Sequence, residues 1–174
     1  MSPLLPLGIL AAIAALLWPR KSVAASITVG TDAGFDMDTV AKHNTMDGFT
    51  RGERNNNPGN IAANPLNKWQ GQQGDDGTYC IFDVPQNGIR AIAHVLRSYI
   101  RRGVNTIETM IHTYSATDQK EYVANVSAAL GMHATDEPDL DDLDTLVTMV
   151  TAIIHQENGR NIYPSDLITT AVQT

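Results

Sequence analysis

The sequence predicts an α+β chain that is mainly α, a helical domain with one small hairpin near its start. Three observations predict it. Apolar residues recur at helical spacing through most of residues 89–172. Two short β-prone runs flank Gly74-Asp75-Asp76-Gly77. The 174 residues, 43% hydrophobic and 18% charged, have a globular composition and suit one domain plus a tail.

The tail comes first. Pro3 to Trp18 carries no charge and is followed by Pro19-Arg20-Lys21. As a helix this run would span roughly 24 Å, short of the roughly 30 Å hydrocarbon core of a bilayer. A membrane anchor fits, with Trp18 and the basic pair as interfacial groups. A signal peptide fits the apolar length and Val23-Ala24-Ala25, but the basic residues follow the apolar run instead of preceding it. A core helix is the third reading, against which stands an apolar surface on all faces. If residues 3–18 anchor the chain, the basic pair places the remainder on the cytoplasmic side during cellular insertion. The expected organisation is an anchor or signal-like helix over residues 1–21, a linker over 22–49 and a folded domain over 50–174. Within the linker, Asp36 to Lys42 allows a short helix.

Arg51 to Asn67 is crowded with Asn, Gly and Pro and reads as a loop. Residues 68–72 and 78–82 read as the two strands of the hairpin. Ile89, Ile92, Ala93, Leu96, Tyr99 and Ile100 then share one helical face, in a helix beginning after Gly88. Thr106 caps a second helix, with Ile107, Met110, Ile111 and Tyr114 inward. Asp118 and Glu121 resemble a capping box at the start of a third, which bears Tyr122, Val123, Val126 and Leu130 and stops at Gly131. A fourth runs from about Asp141, with Leu143, Leu146, Val147, Val150, Ile153 and Ile154 inward and Asn158-Gly159 as its C-cap. Asp166 to Val172 adds a short last helix.

Composition narrows the chemistry. Twelve Lys and Arg against nineteen Asp and Glu give a net charge of −7, the wrong balance for a nucleic-acid-binding surface. The single cysteine, Cys80, excludes an intrachain disulfide and reads as a buried small hydrophobe. His43, His94, His112, His133 and His155 are scattered, without the i, i+4 pair of a helical metal site, so no metal or cofactor is expected. Asp75 and Asp76 read as turn formers, and the acidic run 136–144 as a helix N-terminus.

Two glutamates remain as candidate acids. Glu157 lies three residues after Ile154 and seven after Val150, continuing the apolar stripe in the last turn of its helix. Burial and the helix dipole both push such a carboxyl upward, as a general acid requires. The alternative is a terminal glutamate turned to solvent or paired with Arg160. Glu53, between Arg51 and Arg54, would be held low by those cations, which suits a base, an electrostatic stabiliser or a solvated loop charge.

Arg54-Asn55-Asn56-Asn57-Pro58-Gly59-Asn60-Ile61, Trp69-Gln70-Gly71, Phe82-Asp83 with Gly88-Ile89-Arg90-Ala91, and Ile153-Ile154-His155-Gln156-Glu157-Asn158-Gly159 together resemble the phage virion-associated muramidases, with their lysozyme-like, lytic-transglycosylase-type domain. The resemblance covers roughly residues 50–172. The asparagine turn before a Trp-bearing hairpin also looks like the cell-wall glucosaminidases, in which the catalytic Glu precedes the turn on a helix. Here no helix ending in Glu is expected before Asn55. Residues 152–159 instead look like the helix end that carries the catalytic acid of lytic transglycosylases, as a circular rearrangement would give. Tyr114-Ser115-Ala116 stands where relatives tend to show Trp-Ala-Pro.

The resemblance implies cleavage of the β-1,4 bond between N-acetylmuramic acid and N-acetylglucosamine, with Glu157 or Glu53 as the acid. Asn55, Asn56, Asn57 and Asn60 would bind acetamido or hydroxyl groups or fix the loop, and Trp69 and Tyr79 would face sugar rings. With no second carboxylate to place, a transglycosylase is favoured over a hydrolase. The implied partners are peptidoglycan, a membrane through residues 3–18 and other virion proteins. The implied setting is a membrane-anchored virion protein acting in the host wall or periplasm. The alternative is a non-catalytic virion or wall-binding module of the same shape.

Overall fold

A computed structural model describes residues 48–117 and 119–174. The apolar run 3–18, the linker up to residue 47, the short helix 36–42, His43 and the capping residue Asp118 lie outside the described residues. No helix among the described residues is long and apolar enough to cross a membrane.

The domain is mainly helical with one two-stranded antiparallel sheet. Its elements are α1 (Arg51–Arg54), β1 (Gln72–Asp75), β2 (Cys80–Phe82), α2 (Pro85–Ile100), α3 (Ile107–Tyr114), α4 (Gln119–Leu130), α5 (Leu143–Asn158) and α6 (Ser165–Val172).

The loop expected over residues 51–67 opens instead with a helical turn, α1. Thr50 caps it by accepting from the Glu53 amide, while the Glu53 carboxylate accepts from the Thr50 amide. This reciprocal box satisfies two otherwise orphaned donors and stabilises a turn too short to show any apolar period. The hairpin is also displaced from its expected strands. Gly74 and Asp75, expected in the turn, are paired in β1 with Ile81 and Cys80, and a bulge follows Gln72. The turn closes through an Asp76 amide bond to the Tyr79 carbonyl, 3.0 Å long.

Helix α2 starts earlier than expected, at Pro85, where a missing amide hydrogen costs nothing because the first turn has no acceptor for it. Its Gly88 is needed for close approach, since a Cβ there would strike the Asn56 carbonyl. Ile89, Ile92, Ala93, Leu96 and Tyr99 are buried as their spacing requires, whereas Ile100, expected inward, is 40% exposed at the helix end. The Thr106 cap of α3 is present. Asp142 caps α5, and Gly159 at φ 68° ends it in the left-handed conformation that a Cβ disfavours.

Helix α5 packs against α4 and α6, α2 packs against α6, and α3 against α4. Ile92, Leu96, Ile107, Met110, Ile111, Leu146, Met149, Ile153, Ile154 and Ile168 are fully buried between them, and Phe82 joins this core from β2. Each such side chain contributes about 1.5–3 kcal/mol by leaving water. Met149 was not on the expected inward stripe, while Leu143 and Val147, which were, are only half-buried. Cys80 is fully buried, as expected.

Candidate active site

Four asparagines of one turn, Asn55, Asn56, Asn57 and Asn60, shape the site, and the first three bond within the protein. Asn57 is fully buried. Its amide nitrogen donates to the Ile61 and Cys80 carbonyls, and its oxygen accepts from the Ile61 amide. Asn56 donates to the Phe82 and Asp83 carbonyls, at 3.0 and 3.1 Å. Asn55 donates to Asp76 at 2.6 Å. These three side chains therefore stitch the turn to the hairpin, which is the loop-fixing role among the two expected for them. Asn56 and Asn60 take positive φ, 51° and 48°, which asparagine tolerates better than most residues.

Asn60 does something different. Its amide nitrogen donates to Glu157 Oε2 at 2.9 Å, across 97 residues of sequence. Tyr122 on α4 donates its hydroxyl to Glu157 Oε1 at 3.1 Å. Glu157 is half-buried at the end of α5. It lines a cleft of about 580 Å³ whose walls include Asn60, Trp69, Tyr79, Tyr99 and Tyr114. Among the described residues, it is the one carboxylate lining this cleft.

Burial raises the Glu157 carboxyl above its ordinary value, and the Asn60 and Tyr122 hydrogen bonds only partly offset this. Both donors are neutral, and among the described residues no cation bonds the carboxyl. Tyr122 and Tyr114 are in turn pushed far up, first by burial and also by proximity to Glu157. They remain protonated donors. Tyr114 spends its hydroxyl on the Gly59 carbonyl at 2.6 Å, tying α3 to the asparagine turn. The Trp69 indole nitrogen is buried with no hydrogen-bond partner among the described residues. Tyr79 carries the Arg51 guanidinium over its ring at 4.7 Å.

Glu53 belongs to a different environment from the one expected. It is neither a solvated loop charge nor paired with Arg51 or Arg54. Arg51 bonds Asp76, and Arg54 bonds the Phe49 carbonyl. The Glu53 side chain is 1% exposed and takes a two-pronged bond from Arg160, at 2.8 and 2.6 Å. Burial alone would raise its carboxyl, but the bonds from Arg160 and Thr50 together outweigh this and hold it below the ordinary range. Arg160 is thereby taken, so the alternative Glu157–Arg160 pairing is not what forms. Glu53 is absent from the cleft walls.

Asn158, next to Glu157, does more than the helix capping its position implies and crosses between elements. Its nitrogen donates to the Pro58 carbonyl at 2.7 Å and to Ile154 of its own helix at 2.9 Å. Its oxygen accepts from the Thr50 hydroxyl. Sequence reasoning also missed Tyr122 and Tyr114 as polar members of the site, having placed both on apolar stripes. The hydroxyl of a tyrosine on an inward face was the available signal, since such a group usually requires a partner. Asp75 and Asp76 cap the hairpin turn as expected, accepting from the Gly77, Thr78 and Tyr79 amides. No group of three metal-ligating side chains occurs among the described residues.

The arrangement can donate a proton to, and withdraw one from, a group lying in the cleft against Glu157. No family model matches the chain. It is similar to protein P5 of Pseudoalteromonas phage PM2, 34% identical over 126 residues, covering 68% of this chain and 77% of the relative. On that identity and that shared length, the chain belongs to the family of protein P5 of phage PM2, a bacteriophage protein.

Proposed function

We propose that this protein cleaves the glycan strands of peptidoglycan at the β-1,4 bond after N-acetylmuramic acid, with a lysozyme-like domain and Glu157 as the acid. The observation that carries the reading is the Glu157 carboxyl, raised by burial and bonded by the neutral donors Asn60 and Tyr122, at the wall of a cleft lined by Trp69, Tyr79, Tyr99 and Tyr114. A carboxyl whose proton affinity is raised by burial is better suited to protonate the leaving glycosidic oxygen. Trp69 and Tyr79 supply flat surfaces for sugar rings, and Asn60 steers the acid.

Retaining and inverting glycosidases pair two carboxyl groups at roughly 5–9.5 Å. Glu157 stands alone on the described cleft wall, which favours an intramolecular transglycosylase. Glu157 gives its proton to the departing oxygen, and the resulting carboxylate then takes the proton of the muramic C6 hydroxyl. That hydroxyl oxygen bonds to the anomeric carbon and closes a 1,6-anhydro ring. The setting that suits this chemistry is a virion-associated protein opening the host wall at the start of infection. Residues 3–18 would serve as its membrane anchor.

Zymography on purified sacculi with the full chain, Glu157→Gln and Glu53→Gln tests the assignment. Clearing by the unmodified chain and by Glu53→Gln, with none by Glu157→Gln, is expected. Clearing that survives both substitutions would falsify the choice of acid. No clearing by any form would favour a non-catalytic wall-binding module. Mass spectrometry of the products separates anhydro ends from reducing ends.

A further inference from the structure

Glu157 is one residue from a knot of hydrogen bonds that joins the start of the described domain to the end of α5. On one side stand Asn158 and Arg160, the last residue of α5 and the second residue after it. On the other stand Gly48, Thr50 and Glu53, where the described chain begins. Thr50 donates its hydroxyl to Asn158 Oδ1 at 2.5 Å, and Asn158 donates onward to Pro58. Arg160 grips both Glu53 oxygens and also donates to the Gly48 carbonyl at 2.8 Å. Gly52 allows the contact: a Cβ there would lie 2.8 Å from Asn158 Oδ1 and 2.9 Å from Asn60 Oδ1. No side chain can stand between α1 and the end of α5.

We propose that Thr50 and Asn158, backed by the Glu53–Arg160 ion pair, are positioning residues that clasp the end of α5 to α1 and so hold Glu157 against Asn60. The physical case is geometric. A helix's last turn frays readily because its final carbonyls lack partners. Here that turn carries the proposed acid, whose own two hydrogen bonds come from the neutral side chains of Asn60 and Tyr122. The clasp supplies charged and buried bonds immediately beyond it, where fraying would begin. The groups facing Glu157 are Tyr114 from α3, Tyr122 from α4 and Asn60 from the turn, and none carries a charge at neutral pH. Burial is thus the main determinant of its proton affinity, and burial is what the clasp protects.

The catalytic meaning of this clasp rests on Glu157 being the acid, but its test does not. In the full chain, the Glu157 carboxyl titration is followed by carbon NMR and identified by its absence from Glu157→Gln. Thr50→Val removes the hydroxyl at nearly constant shape, and Thr50→Ser retains it. In folded Thr50→Val, water reaches the loosened helix end, and the Glu157 titration moves down toward the ordinary value by about half a pH unit. Thr50→Ser restores it. An unchanged titration in folded Thr50→Val, or a shift that serine fails to reverse, overturns the clasp. If Thr50→Val does not fold, Arg160→Lys, which keeps the charge and loses the fork, is judged by the same criterion. A shift with serine rescue, in a protein whose Glu157→Gln form still clears sacculi, would leave the clasp standing and remove the catalytic reading.

Discussion

Glu53 and Glu157 are tied to the same stretch of chain, the end of α5 and the residues after it, yet their environments have opposite signs. Glu53 is nearly sealed from solvent and faces a guanidinium, so its charge is stabilised and its carboxyl lies low. Glu157 is less buried but faces only an amide and a phenol, so its charge is penalised and its carboxyl lies high. Burial by itself raises both carboxyls. What separates them is the identity of the nearest donor, a cation in one case and neutral dipoles in the other. The first arrangement makes a structural ion pair; the second raises the carboxyl, as the proposed acid requires.

The sharpest way to break this contrast is to remove each carboxyl's role in turn. Glu157→Gln should reduce cleavage of sacculi by at least about 100-fold, the scale of a lost general acid, while leaving the fold intact by circular dichroism. Arg160→Ala should leave Glu53 buried without its cation and lower unfolding free energy by about 3 kcal/mol, measured by urea denaturation. Glu53→Ala should cost less, because Arg160, 45% exposed, can turn to water.

The pH dependence of stability sharpens the same comparison, with opposite slopes. The Glu157 carboxyl binds its proton more tightly in the folded state. Stability therefore declines as pH rises from the ordinary carboxylate value through the raised one, and Glu157→Gln becomes relatively more stable over that window. Glu53 is depressed, so its contribution is complete above the ordinary value and is lost as pH falls through the lowered one. The penalty of Glu53→Gln should shrink on acidification while the benefit of Glu157→Gln also disappears. Parallel slopes for the two variants would remove the distinction. The smallest effect is expected from Trp69→Ala, which should raise KM for glycan fragments about three- to tenfold with kcat little changed, on the scale of an aromatic contact.

Much of this contrast was visible in the residues themselves. Val150, Ile154 and Glu157 share a helical face, and that register points to an inward Glu157. The α5 stop at Gly159 followed from glycine chemistry. Glu53 lies low as its charge pattern implies, but through another cation: Arg51 and Arg54 are not its neighbours in space, and Arg160 lies 107 residues away. Thr50 and Glu53 did have capping-box spacing, but without an apolar run behind them the signature went unused. The inward turn of Asn55, Asn56 and Asn57 was equally hidden. An asparagine offers the same donors to a sugar and to a carbonyl, and only the hairpin's position shows which receives them. The displaced hairpin reflects a bulge after Gln72, where one unpaired residue resets the register.

The grip of Arg160 on the Gly48 carbonyl has a mechanical corollary. Traction applied through the upstream chain would reach the domain at Gly48, Phe49 and Thr50, whose bonds lead to Arg160, Arg54 and Asn158. Load would thus be felt beside the α5 terminus before it strained the hydrophobic interior.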